Sequence, residues 1–192
     1  MDAFRRRQPR HRRLREPDRV LGLRRERPRR LPRSNALATR KVLVTGMSGT
    51  GKSSALAELR RFGFEAVDTD EGGFTEWSED EDGYVWNEER ITELLRRGAD
   101  ALLFVSGAVS NQGRFYPQFD AVVLLSAPAE VLLGRLSGRS TNDYGKTQEE
   151  RELILEHLAT VEPLLRATCT HEIDASRPLA EVVAELARIG AG

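Results

Sequence analysis

Residues 46–53 read Gly46-Met47-Ser48-Gly49-Thr50-Gly51-Lys52-Ser53 and fill every fixed position of the pattern G-x-x-x-x-G-K-[ST]. These residue types at this spacing bind phosphate. Glycines let the backbone wrap tightly and turn its N–H groups toward an anion. The run opens a helical stretch, whose N-terminus adds a positive dipole end. Lys52 supplies a cation to the β- and γ-phosphates of a nucleotide and the Ser53 hydroxyl ligates Mg²⁺, so ATP and Mg²⁺ are the expected ligands. Gly46, Ser48, Gly49, Thr50, Gly51, Lys52, Ser53 and Ser54 are the expected nucleotide contacts. A glycine-rich turn that only resembles the pattern is the alternative, and the strand before it and helix after it weigh against that.

The elements that must position this loop follow from periodicity. Lys41-Val42-Leu43-Val44-Thr45 is a short β-branched run ending at Gly46, which predicts a buried strand. Residues 52–62 predict a helix with Leu56, Leu59 and Phe62 on one side. Strands are expected over 64–68, 101–105, 121–125 and 171–174. Helices are expected over 88–97, 128–136, 178–189 and 147–167, the last interrupted at Pro163. Strands alternating with helices imply right-handed βαβ units. The expected fold is α/β, a three-layer α/β/α sandwich with a five-stranded parallel sheet. Two insertions stand out: 71–87, acidic and aromatic, and 137–147, polar with Gly, Ser, Asn and Lys. Long loops on such a sheet are more often functional than idle.

The chain of 192 residues has no net charge, but the balance hides an asymmetry. Residues 1–41 carry 15 arginines and one lysine against four acids, a net +12, so the remainder carries −12. Residues 1–39 are rich in Arg and Pro and lack a periodic apolar face. Such a segment buries too little surface to offset its ordering entropy, which predicts a disordered extension to a domain over 40–192. It reads as a solvated tail, as a stretch outside the natural start, or as a nucleic-acid arm, since Arg clusters bind phosphate backbones. No apolar run is long enough to cross a membrane, and no apolar core follows the first charges as a secretory signal requires. The single cysteine, Cys169, forms no intrachain disulfide, which suits a cytoplasmic location, and it reads as a small filler beside a late strand.

The stretch Asp120 to Arg139 resembles the fourth strand, following helix and lid approach of small P-loop kinases, a superfamily that includes adenylate kinase-like, shikimate kinase-like and dephospho-coenzyme-A kinase-like proteins and whose members often bear the label AAA family ATPase. The resemblance covers residues 41–190 in order and spacing, and implies the P-loop NTPase fold. In that family two arginines four apart flank the lid, which implies that Arg135 and Arg139 serve the nucleotide and the transferring phosphates. Both also read as helix-end cations facing the dipole. Lid residues Thr141, Asn142, Tyr144 and Lys146 follow. Shikimate kinase-like relatives carry an acidic pair past the second strand, where Asp68 and Asp70 stand. One carboxylate can orient the metal's water and the other can hold or deprotonate an acceptor hydroxyl. Turn-forming aspartates are the alternative. The third strand ends in Val105-Ser106-Gly107 and lacks the usual acid, so Asp68 or Asp70 would serve the metal beside Ser53. By the same resemblance Arg90, Asn111, Gln112 and Arg114 are candidate acceptor contacts.

The insertion 71–87 holds Phe74, Trp77, Tyr84 and Trp86, which either cover an acceptor or pin the loop to the domain. A kinase for a small-molecule acceptor is the leading expectation. A nucleotide-dependent regulatory or binding ATPase is the second, favoured by the missing third-strand acid. Nucleic-acid binding through the basic tail ranks last.

Overall fold

Val42 and Val44 enter one hydrophobic core and Leu43 the other, so the first strand is buried on both faces. That is the behaviour of a central strand in a covered parallel sheet. The computed structural model describes residues 40–97, 102–138 and 145–192; the Arg-rich segment and the middle of the lid insertion lie outside them.

Within those residues β1 (Lys41–Thr45) leads through the glycine loop to α1 (Lys52–Arg61) and β2 (Glu65–Asp68). Then come β3 (Thr75–Ser78), β4 (Gly83–Trp86), α2 (Glu88–Arg97), β5 (Leu103–Ser106) and a 3₁₀ segment, Ser110–Gln118. The chain continues through β6 (Ala121–Ser126), α3 (Ala129–Ser137), α4 (Gln148–Thr160), α5 (Glu162–Thr168), β7 (His171–Asp174) and α6 (Leu179–Ala191). Five strands form one parallel sheet in the order β2-β5-β1-β6-β7. All four pairings are parallel, with Val44 opposite both Ser106 and Val123. Their C-terminal ends therefore come together at one edge, where open α/β sheets bind ligands.

Helices cover both faces. Leu56 and Leu59 of α1 and Val182, Val183 and Leu186 of α6 meet Val42, Val44, Phe104 and Val123 on one side. Ile91 and Leu95 of α2, with Phe115 and Trp86, meet Leu43, Leu103, Val105 and Val122 on the other. Each such aliphatic side chain contributes about 1.5–3 kcal/mol on burial.

The insertion 71–87 differs from the expected loop. It contains an antiparallel hairpin, β3 with β4, pairing Trp77 with Tyr84 and Thr75 with Trp86. Val85 and Trp86 bury the second strand, Trp77 and Tyr84 pair edge-on across the two, and the Asp82-Gly83 corner closes the turn, Asp82 taking φ +45°. Phe62 caps α1 and is 45% exposed instead of buried. Pro128 precedes α3 as its N-cap, and Pro163 divides α4 from α5 by standing in the first turn of α5, where its missing N–H costs nothing. Thr147 and Glu150 form a reciprocal capping box that starts α4.

Cys169 is half-buried, and desolvation first, then the nearby Glu172 carboxylate, pushes its thiol pKa up. It is a poor nucleophile and packs against the second core. No described helix is long and apolar enough to cross a membrane.

Candidate functional site

The glycines of the loop after β1 are required by its geometry. Gly46 and Gly51 take φ of +143° and +93°. A Cβ on Gly46 would collide with the carbonyl oxygen of Leu125 on β6 and come within 3.2 Å of Thr50 Oγ1. At Gly51 a Cβ meets nothing within 4 Å, so that position is fixed by backbone conformation alone. The loop thus lies against β6, and Thr50 Oγ1 braces it by donating to Met47 O at 2.9 Å.

Gly51 is the N-cap of α1, with no side-chain cap and no acid in the first turn. No side-chain cap or first-turn acid neutralises the positive end of this ten-residue helix, which suits an anion. Lys52 Nζ folds back over the loop and donates to Gly46 O at 2.6 Å and Met47 O at 3.2 Å. The cation is held over the cradle rather than extended to solvent.

A cavity of about 980 Å³ opens above this loop. Ser48 to Ser54 form its floor, Asp68, Asp70 and Glu71 one wall, and Arg135 and Arg177 the other. Asp68 is 5% exposed and accepts the Asp70 amide at Oδ1, 3.3 Å away. Asp68 pairs in register with Ser106 of β5, so both side chains leave the sheet on the α1 face. Ser106 is fully buried and its Oγ has no hydrogen-bond partner among the described residues. Such a hydroxyl retains capacity for a water or a ligated ion's shell. Ser53, Asp68, Asp70 and this hydroxyl offer oxygen donors only, a set that fits Mg²⁺.

β5 ends in Ser106, followed by Gly107, without an acid. A Cβ on Gly107 would approach Thr69 Oγ1 to 2.6 Å and Trp86 Cζ2 to 2.7 Å. The space past β5 on that face is filled by Trp86, and the carboxylates that line the cavity stand at and just past the end of β2.

Arg135 bridges two loops, its Nη2 donating to Ala175 O at 2.7 Å and its Nη1 to Thr50 O at 3.5 Å. It ties the phosphate loop to the turn between β7 and α6. In that turn Asp174 is held below the usual carboxylate range, first by the Ser176 hydroxyl and then by the Ser176 amide. Arg139, Thr141, Asn142 and Tyr144 lie outside the described residues. Lys146 is exposed next to α4, and its amide is one of three that donate to Glu150 Oε2.

The expected acceptor residues stand apart from the cavity lining. Arg90 donates to Gly72 O and Gly73 O at 3.0 and 2.6 Å, clasping the start of the hairpin insertion. Gln112 is buried and accepts from Thr45 Oγ1 at 3.3 Å. Arg114 pairs with Glu88 at 2.7 Å and Glu81 at 3.8 Å on the surface. Asn111 binds both the amide and the carbonyl of Trp86, each at 2.9 Å. Conversely, Ala175, Arg177, Leu179 and Val182 line the cavity and sequence reasoning passed over them. Their signal was position: they follow the last strand of a parallel sheet whose C-terminal edge carries the phosphate loop.

A family model described as an AAA domain matches residues 42–156. Among solved structures, shikimate kinase from Acinetobacter baumannii in complex with shikimate superposes with a TM-score of 0.58 at 20% identity, over 78% of this chain and 92% of that one. A gluconokinase from Sinorhizobium meliloti aligns at 20% identity and a TM-score of 0.49, over 81% of this chain and 94% of that one. A sugar kinase from a Janibacter species aligns at 21% identity and 0.49, over 78% and 92%. No curated protein matches by sequence. Since one continuous match runs from the glycine loop through the acids past β2 to α4, the chain belongs to the AAA-domain family, and its sheet and helices are those of the P-loop kinase-like fold.

Proposed function

We propose that the protein is a kinase that moves the γ-phosphoryl group of ATP to a small-molecule acceptor, in the cytoplasm. One observation carries the reading: the glycine cradle, the Lys52 cation and the carboxylates of Asp68 and Asp70 open into a single cavity. The amides at the start of α1 and the Lys52 ammonium bind the phosphates. Ser53 and Asp68 would hold Mg²⁺, which when bound offsets charge on the β- and γ-phosphate oxygens. Asp70, which lines the cavity with Asp68, would accept the proton of an acceptor hydroxyl. The acceptor oxygen then bonds to the γ-phosphorus as the bond to the bridging oxygen of ADP breaks. Arg135 steadies the nucleotide side by joining two cavity-lining loops. Arg139 is proposed for the transferring phosphates. With little covalent work for the protein, its contribution is positioning and charge neutralisation.

A second reading, a regulatory or binding ATPase without a metabolite acceptor, is favoured by Arg90, Gln112 and Arg114 being engaged in internal contacts. ATP turnover measured alone and with a panel of hydroxyl-bearing and phosphate-bearing metabolites separates the two. Strong stimulation by one compound, with its phosphorylated form recovered, is expected. Slow turnover that no compound stimulates favours the regulator.

A further inference from the structure

The sheet separates two networks at the end of β2. On the α1 face Asp68 and Asp70 line the cavity. Thr69 stands between them and, one residue out of phase, turns to the opposite face. There its Oγ1 receives the indole N–H of Trp86 at 2.8 Å and donates to Ser106 O at 2.7 Å. An indole N–H only donates, so the direction of the Thr69 hydroxyl is settled: it accepts from Trp86 and gives its own hydrogen to Ser106. The Thr69 amide donates to the same carbonyl at 3.0 Å, adding a rung to the β2–β5 ladder beyond Asp68.

Trp86 is itself held firmly. It is fully buried, and the Asn111 side chain pairs with its backbone as a neighbouring strand would. Its ring meets Phe115 edge-on, with centroids 5.5 Å apart. Packing alone calls for an aromatic of this size, but only an indole also offers a donor to Thr69.

We propose that Trp86 is a positioning residue for the acid pair. Its indole N–H fixes Thr69 to the far face of the sheet, and that fixes Asp68 and Asp70 to the near face, toward the phosphate cradle. The hairpin insertion thus acts on the nucleotide site through the sheet edge, without touching ligand. This rests on the MgATP reading above.

The test uses the full chain with Trp86→Phe, Thr69→Val, the double variant and Thr69→Ser. ATP affinity is measured by calorimetry with and without Mg²⁺, and exchange of the Trp86 indole proton is followed by NMR without nucleotide. Phe keeps most of the ring and loses the donor; Val keeps the shape of Thr and loses the hydroxyl. Each single variant is expected to weaken the Mg²⁺-dependent gain in ATP affinity about tenfold, the usual cost of removing support behind a metal-bearing group. Metal-free affinity should stay within about twofold, and the double variant should be no worse than Thr69→Val alone, in which the Trp86–Thr69 bond is already lost together with the bond from Thr69 to Ser106 O. Thr69→Val should speed indole exchange, and Thr69→Ser should restore wild-type behaviour in both measurements. If Trp86→Phe does not fold, the Thr69→Val and Thr69→Ser pair decides alone. An unchanged Mg²⁺-dependent gain in folded variants, equal losses with and without Mg²⁺, or multiplied losses in the double variant would overturn the proposal alone. Wild-type protein that takes up no MgATP overturns the nucleotide reading, and this proposal with it.

Discussion

Two alanine substitutions in one loop should differ sharply in cost. Gly51→Ala introduces a Cβ that meets nothing within 4 Å, so only the positive φ of +93° is penalised. That strain is about 1–2 kcal/mol. Gly46→Ala carries comparable strain at φ +143° and also drives its Cβ into the Leu125 carbonyl, with the carbonyl carbon at 3.3 Å. That oxygen belongs to the backbone of β6, which is paired on both sides, to β1 and to β7, and cannot swing aside as a side chain would. Overpacking of this kind adds about 1–3 kcal/mol, and with strain of about 1–3 kcal/mol the total is near 4 kcal/mol. For a domain of this size each kcal/mol moves the midpoint about 2–4 °C. Gly46→Ala should therefore lower Tm by about 10 °C, against about 4 °C for Gly51→Ala. Thermal unfolding by circular dichroism, without nucleotide, isolates the packing effect. Midpoints within about 2 °C of each other would refute the claim that β6 forms the wall of the cradle.

Further predictions follow from named contacts. Lys52→Ala removes the cation together with its bonds to Gly46 O and Met47 O, and should slow ATP turnover on the order of a hundredfold with folding intact; full activity in a phosphate-release assay refutes the assignment. Gly134 lies exposed inside α3 with open space around its Cα, so Gly134→Ala should stabilise by about 0.5–1 kcal/mol in chemical denaturation and leave ATP affinity alone. Arg166 bonds Glu172 and Glu162, and its bonds, followed by one from Ser126, hold the Glu172 pKa below the ordinary 4.5. Folded Glu172 thus binds its proton less tightly than the unfolded chain does. The stabilisation is present above about pH 4.5 and disappears as pH falls through the depressed value. Arg166→Met should cost about 1–3 kcal/mol at pH 7, since the Glu172 pair is partly solvent-screened but the buried Glu162 also loses its bond, and the gap to wild type should narrow in acid unfolding titrations.

The parallel sheet was legible because its three inner strands, β1, β5 and β6, are short apolar runs followed by a turn or a helix, and burial on both faces leaves no other reading of Val42-Leu43-Val44. The cradle was legible because its chemistry is local: eight adjacent residues supply the amides, the cation and the hydroxyl. The hairpin was hidden by its acids. Glu76, Glu79, Asp80, Glu81 and Asp82 are poor strand formers, and their density masked the strand-forming run Tyr84-Val85-Trp86 and the Asp82-Gly83 turn signal. Arg177, Leu179 and Val182 were missed because nothing in their types marks them; only the sheet order brings them over the phosphate loop.

Residue type tells what a side chain can do, and long-range packing decides whom it does it to. Arg90, Gln112 and Arg114 have the groups that grip phosphates and bases, yet each finds its partner inside the protein: two carbonyls, a threonine hydroxyl and two glutamates. The converse holds at β5. Ser106 and Gly107 look inert, but the serine leaves a buried hydroxyl in register with Asp68, and the glycine makes room for an indole. With Trp86 filling the far face, a side chain at Gly107 has no room on that side, and the carboxylates that line the cavity stand at the end of β2. Thr69, which stands between Asp68 and Asp70 and accepts the Trp86 indole N–H, joins the two networks, so a change at Trp86 should be felt at the acid pair.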